Sequence, residues 1–115
     1  MAERARPAES AESAELRRLR RRIDALDRRI VALLNERAEL ARDVGRAKVA
    51  AGRRAVRDLD REREVLLRVA VANEGPIPQA DLIALYRRLF SATRAMEARD
   101  RRAGGPDAST GSTHD

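Results

Sequence analysis

The sequence predicts an all-α chain of three helices, one of them very long, that pairs with a second copy as an intertwined helical homodimer. Three observations carry this. Apolar residues recur at alternating spacings of three and four from Leu16 to Ala47, the period of a helical seam. Ala, Arg, Leu and Glu dominate the composition, and no segment reads as a strand. The breaks are few and sharp: Gly52, then Gly75 with Pro76 and Pro78.

The first helix is expected over residues 15 to 50. Leu16, Leu19, Ile23, Leu26, Ile30, Leu33, Arg37, Leu40, Val44 and Ala47 form its seam, which tolerates Gly45. Such a helix is about 53 Å long at 1.5 Å per residue. The second is expected from Asp58, with Asp58 or Asp60 as its cap, to Asn73, where Gly75 fits the C-terminal end. The third runs from Pro78 or Gln79 to Arg102, with Leu82, Leu85, Tyr86, Leu89, Phe90, Thr93 and Met96 facing inward. Residues 1–14 read as a disordered extension and 103–115, AGGPDASTGSTHD, as a disordered tail, which leaves 15–102 as the folded domain.

The helix lengths do not match. A helix of about 53 Å cannot bury its seam against two shorter ones that turn back on each other. A second copy supplies the missing surface, and the two long helices then pack together. A long coiled-coil dimer with loosely attached arms is the plainer alternative.

Composition removes several kinds of chemistry. The 115 residues allow one domain and contain no Cys, which excludes disulfides, thiolate metal sites and a cysteine nucleophile. The single His, His114, lies in the polar tail, so neither histidine base catalysis nor a His-ligated metal is expected. Tyr86 and Phe90 are the only aromatics, too few for a base-stacking platform. The net charge of +6 comes from bases interleaved with acids, so no nucleic-acid partner is expected. A basic coiled coil that binds nucleic acid or a partner helix, suggested by the RRLRRR run, is the rival of a different class. No apolar run reaches the length of a membrane span, and the start MAERARPAESAESAE lacks the apolar core of a secretory signal. The expectation is a cytoplasmic protein with no membrane partner.

Polar residues stand where the pattern calls for apolar ones. Arg37 occupies a seam position, where a guanidinium needs an ion-pair partner or an anionic ligand. Lys48, eleven residues on, lies about 20° from Arg37 around the helix. Arg20 is about 260° away, so in a two-fold dimer it is better placed to reach the partner's pocket. Asp58, Arg61 and Glu62 share a face of the second helix, where they also could form a self-satisfied ladder. Thr93 and Glu97 lie four apart beside the third apolar stripe, where a Glu needs a cation or a proton. Cations, a hydroxyl and carboxyls without a nucleophile suit a small, multiply anionic substrate and catalysis by positioning and charge.

The runs LRRRIDALDRRIVALLNERAELARDVGRAK and AVRDLDRERE resemble the all-helical (AroQ-type) chorismate mutase family, over about residues 16 to 100. The pattern is R-x-x-I-D-x-L-D, then E-R, then V-G-x-x-K, then R-D-x-x-R-E, with one extra residue in the loop at 51–55. The resemblance implies an intertwined dimer with shared active sites that converts chorismate to prephenate without a cofactor. Arg37 and Lys48 match the family's long-helix cations, and Arg20 matches the arginine given by the other subunit. Asp58 and Glu62 match the pair that opens the second helix, with Glu62 on the substrate's ring hydroxyl and Arg61 between them, either supporting the contacting residues from behind or itself contacting a carboxylate. Thr93 matches a Ser/Thr near the ring carboxylate, and Glu97 a position held by Gln or Glu. Lys48 and a protonated Glu97 would stabilise the ether oxygen while Arg20 and Arg37 clamp the carboxylates. Related helical proteins acting on isochorismate or 4-amino-4-deoxychorismate are the nearest alternative. Some small members dock on the first enzyme of the shikimate pathway, a further partner the resemblance allows.

Overall fold

The computed structural model describes residues 2–53 and 57–114, with side chains over 13–53 and 57–104. It contains three helices, α1 (Ala2–Ala50), α2 (Leu59–Ala72) and α3 (Gln79–His114), and no strand among the described residues. Residues 54–56 of the expected AGRRAV loop lie outside the described residues. Helical backbone continues through most of 1–14 and 103–115, where the sequence predicts irregular tails; Met1 and Asp115 lie outside the described residues. The Ala, Glu and Arg of the first stretch favour a helix. The Gly-, Ser- and Thr-rich second stretch does not, and intrinsic propensity gives no account of its helix.

The ends of the helices follow local chemistry. Gly52, at φ 77°, closes α1. Its N–H donates to the Val49 carbonyl at 2.9 Å and the Arg53 N–H to the Lys48 carbonyl at 2.8 Å, the paired bonds of a Schellman turn. Asp58 caps α2, its Oδ1 accepting the Arg61 N–H at 2.9 Å. The other end of α2 differs from expectation. Asn73, not Gly75, is the cap: its N–H donates to the Val69 carbonyl, and its side chain bonds the Ile77 carbonyl and the Gly75 N–H, each at 3.0 Å. Gly75 serves the turn itself, at φ 82°. The Pro78 carbonyl then accepts from Asp81 and Leu82, both at 3.1 Å, starting α3.

The chain divides into two units, 1–40 and 41–115. The first is a single stretch of α1 whose seam is bare. Its large apolar side chains, from Leu16 to Leu40, are 39–59% exposed, and Arg37 and Ala38 are its half-buried residues.

In the second unit α2 packs against α3. Val65, Leu66, Val69 and Ala70 of α2 and Leu82, Ile83, Tyr86, Leu89 and Met96 of α3 are half-buried. Phe90, 7% exposed, is the one buried residue among those described. Tyr86 meets it edge to face, with ring centroids 6.3 Å apart. Leu85, expected inside, is instead 60% exposed, and Ile83 takes the inward place. A bidentate pair ties the last turns of α1 to α3: Arg42 Nε and Nη2 donate to Asp100 at 2.8 and 3.2 Å. The hydrogen bond from Arg42 holds the Asp100 carboxyl below the usual carboxylate range.

Phe90 is thus the centre of what core the second unit has. Phe90→Ala should cost about 3 kcal/mol in urea unfolding at fixed protein concentration. A loss below about 1 kcal/mol would show that the packing does not depend on this ring.

Candidate active site

The residues singled out in the sequence fall in both units. Arg20, exposed, and Arg37, half-buried, belong to 1–40. Lys48, Asp58, Arg61, Glu62, Thr93 and Glu97 belong to 41–115.

Lys48 sits in the last turn of α1 and is half-buried. Its backbone is pinned, because its carbonyl accepts the Arg53 N–H of the terminating turn. Gly45 lies three residues earlier on the same face of the helix. Glu97 of α3 rests there: its Oε2 is 3.2 Å from where a Cβ on Gly45 would stand. The missing side chain at 45 therefore makes the seat for the Glu97 carboxyl, one turn from Lys48. Among the described residues neither Lys48 nor Glu97 forms an ion pair. Thr93, one turn before Glu97 on α3, is half-buried.

The start of α2 does not form the internal ladder that the sequence allowed. Asp58 uses its carboxylate as the cap, and Arg61 donates to Glu64 at 2.9 Å. Glu62 pairs with residues from outside α2. Arg57 donates to Oε1 through Nη2 at 3.0 Å and Nε at 3.2 Å, and Arg94 of α3 donates to Oε2 at 2.6 Å. The Glu62 side chain is 17% exposed. Burial by itself would push its carboxyl up, but the hydrogen bonds and charges of Arg57 and Arg94 together hold it below the usual range.

Arg57 and Arg94 were not among the expected site residues. The signal for Arg94 was available: it follows Phe90 by four, on the face of α3 that is most buried. Beside this trio lies a cleft of about 300 Å³, lined by Leu59, Leu66 and Phe90 and by the cations Arg57, Arg63, Arg87 and Arg94. Apolar walls with excess positive charge fit an anionic molecule with a hydrocarbon body. The described residues contain no group of three His, Cys, Asp or Glu side chains arranged to hold a metal ion. Among them, no helix is long and apolar enough to cross a membrane.

The seat at Gly45 gives a direct test. Gly45→Ala should raise stability by up to about 1 kcal/mol, because Ala is the better helix former and the Glu97 carboxylate is a flexible end that can yield. Chemical denaturation reads the first effect, and a crystal structure of the variant should show the carboxyl displaced. A stability loss above about 1 kcal/mol would mean that the carboxyl cannot move.

The chorismate mutase type II family model matches residues 19–98. The chain is 36% identical over 80 residues to a bifunctional chorismate mutase/prephenate dehydratase of Stutzerimonas stutzeri, covering 66% of this chain and 22% of that one. It is 54% identical over 48 residues to the protein of the same description from Escherichia coli (strain K12), covering 42% of this chain and 12% of that one. It spans about a fifth of the length of the first of these relatives. Among solved structures, chorismate mutase from Thermus thermophilus (form II) superposes with a TM-score of 0.69 at 32% identity, covering 74% of this chain and 96% of that one. Form I gives 0.65, also at 32% identity, over 69% and 98%. With the match running from Leu19 to Ala98, the chain belongs to the type II chorismate mutase family.

Proposed function

We propose that this chain is a chorismate mutase, an isomerase that rearranges chorismate to prephenate within one molecule, with no covalent intermediate and no cofactor. The observation that carries the proposal is the family match over 19–98, which contains every residue given a role, from Arg20 to Glu97. The relatives named as bifunctional chorismate mutase/prephenate dehydratases are consistent with prephenate as the product.

In this reading the chemistry is done by orientation and fixed charge. As the ether bond to the ring lengthens, negative charge grows on its oxygen. The Lys48 ammonium, carried on backbone that the closing turn of α1 pins, stabilises that charge. Glu97, seated against Gly45 one turn from Lys48, donates a second hydrogen bond when it carries a proton, since an ionised carboxylate only accepts. Arg37 and Arg20 clamp the two carboxylates and fold the side chain of the substrate over its ring. Glu62 accepts from the ring hydroxyl, and Asp58, Arg61 and Thr93 complete the surroundings. The working unit is 15–102, and the stretches 1–14 and 103–115 lie outside it.

The active form is a homodimer with shared sites. The apolar seam of 16–40 supports this: each half-exposed Leu or Ile gains on the order of 1 kcal/mol when covered, and a second copy presents a matching seam. Arg20 then serves the site of the other subunit. Docking to another enzyme of the same pathway is compatible with this arrangement, although the proposed catalysis does not require it.

Lys48→Ala should lower kcat about 100- to 1000-fold with a smaller change in KM, because the ammonium acts on charge that is larger in the transition state. A near-normal kcat would remove Lys48 from this role. Arg20→Ala and Arg37→Ala should each be nearly inactive alone. After complete subunit exchange of an equal mixture, about a quarter of wild-type activity should return, since half the dimers then hold one intact site of two. If native mass spectrometry shows heterodimers and activity stays absent, both arginines act within one chain.

A further inference from the structure

The proposed mechanism gives Glu62 a task but does not say what holds it there or what sets its preference. The answer lies in Arg57, which opens the R-D-x-x-R-E run without a role of its own there, and Arg94, which lies outside the quoted pattern. Glu62 is gripped from two elements at once: from the chain entering α2 by Arg57, and from α3 by Arg94. The two contacts divide the carboxylate. Arg57 takes Oε1 with both of its facing N–H groups, at 3.0 and 3.2 Å, and reaches Oε2 only at 3.4 Å. Arg94 makes a single short bond of 2.6 Å to Oε2. A carboxylate has about four acceptor positions, two on each oxygen. Oε1 carries the two closer Arg57 contacts, while Oε2 has one short bond from Arg94 and only the long 3.4 Å contact from Arg57, so Oε2, beside Arg94, is the more open acceptor for a ligand.

We propose that Arg94, with Arg57, is a positioning residue that fixes Glu62 as an acceptor for the ring hydroxyl, and that the net positive charge of the trio selects a neutral hydroxyl over a cationic amino group there. This rests on the reading of the chain as a chorismate mutase. A lone carboxylate accepts from a hydroxyl or an ammonium and prefers the ammonium by charge. Two guanidiniums reverse that preference, because a substrate ammonium on Oε2 would stand next to Arg94. The short, partly buried Arg94 contact matters most, since Arg94 is 35% exposed against 53% for Arg57. Arg63 and Arg87, in the same cleft, add charge of the same sign.

The test compares chorismate with 4-amino-4-deoxychorismate on the full chain, for the wild type, Arg94→Met, Arg94→Lys and Glu62→Gln. Arg94→Met should raise KM for chorismate about tenfold with a smaller effect on kcat, because the hydroxyl contact is made in ground and transition states alike. Turnover or competitive binding of the amino compound relative to chorismate should rise by about tenfold or more. Arg94→Lys, which keeps the cation, should restore most of the preference for the hydroxyl. If Arg94→Met loses thermal stability but keeps KM and the preference, Arg94 is merely structural and the inference is overturned. Failure of Lys to restore the preference overturns the charge argument. Should Arg94→Met not fold, Arg57→Met removes the other guanidinium from a more exposed position and must shift the preference in the same direction, or the inference falls. The Glu62→Gln arm separates the levels. A raised KM there with no effect at Arg94 sinks this inference alone, whereas a wild type with no mutase activity sinks the reading beneath it as well.

Discussion

The constraint on which the rest depends is apolar surface that one chain leaves uncovered. Among the described residues only Phe90 is buried, while the large apolar side chains of the seam along 16–40 are each more than a third exposed. A monomeric chain in water rarely keeps so long an apolar stripe uncovered. In the homodimer proposed here the same covering that stabilises the fold would also bring in a catalytic arginine, so folding, assembly and activity become one equilibrium. Such a dimer would tie activity to protomer concentration and would account for the small core within each chain.

Within the second unit the site residues are set by helix ends more than by a core. Lys48 precedes the closing turn of α1, and Asp58 opens α2 four residues before Glu62. A helix terminus is rigid where it satisfies its own leftover N–H and C=O groups, and both termini do so here. Side chains rooted there inherit that rigidity without deep burial. Gly45 adds the opposite device, an absent side chain that lets Glu97 come close to α1. The orientation catalysis proposed above would need this kind of placement, since it has no covalent step to compensate for a misplaced group.

The arginine-rich composition also acquires a logic. Many of the cations are spent on exposed neighbours one turn away, such as Arg18 with Glu15 and Arg63 with Asp60. Such pairs contribute little to stability. Arg42 and Arg94 are different because their partners lie on other helices, at Asp100 and Glu62. These two contacts span elements, and one of them reaches the candidate site.

Much was legible in the sequence because it depends on local chemistry. The alternating spacing gave the helices, Asp58 and Gly52 gave their limits, and the spacing of Arg37, Lys48 and R-D-x-x-R-E carried the resemblance to the family. Leu85 and Glu62 escape a local reading because they depend on which face meets which, whereas the cap at Asn73 and the helical backbone through most of 1–14 and 103–115 do not. Ile83 is half-buried where Leu85, 60% exposed, was expected, and the spacing along α3 alone does not tell which of the two faces α2. Asn73 displaces Gly75 as the cap because its side chain finds the Ile77 carbonyl across the turn. Glu62 finds Arg57 and Arg94 instead of its own ladder, since an arginine thirty-two residues away becomes a neighbour only once α2 and α3 pack. Sequence determined the helices, the caps at Gly52 and Asp58 and the inventory of charges, for these follow from residues within a turn of one another. Tertiary structure decided the pairing of those charges, because distance through space, unlike distance along the chain, is fixed only by packing.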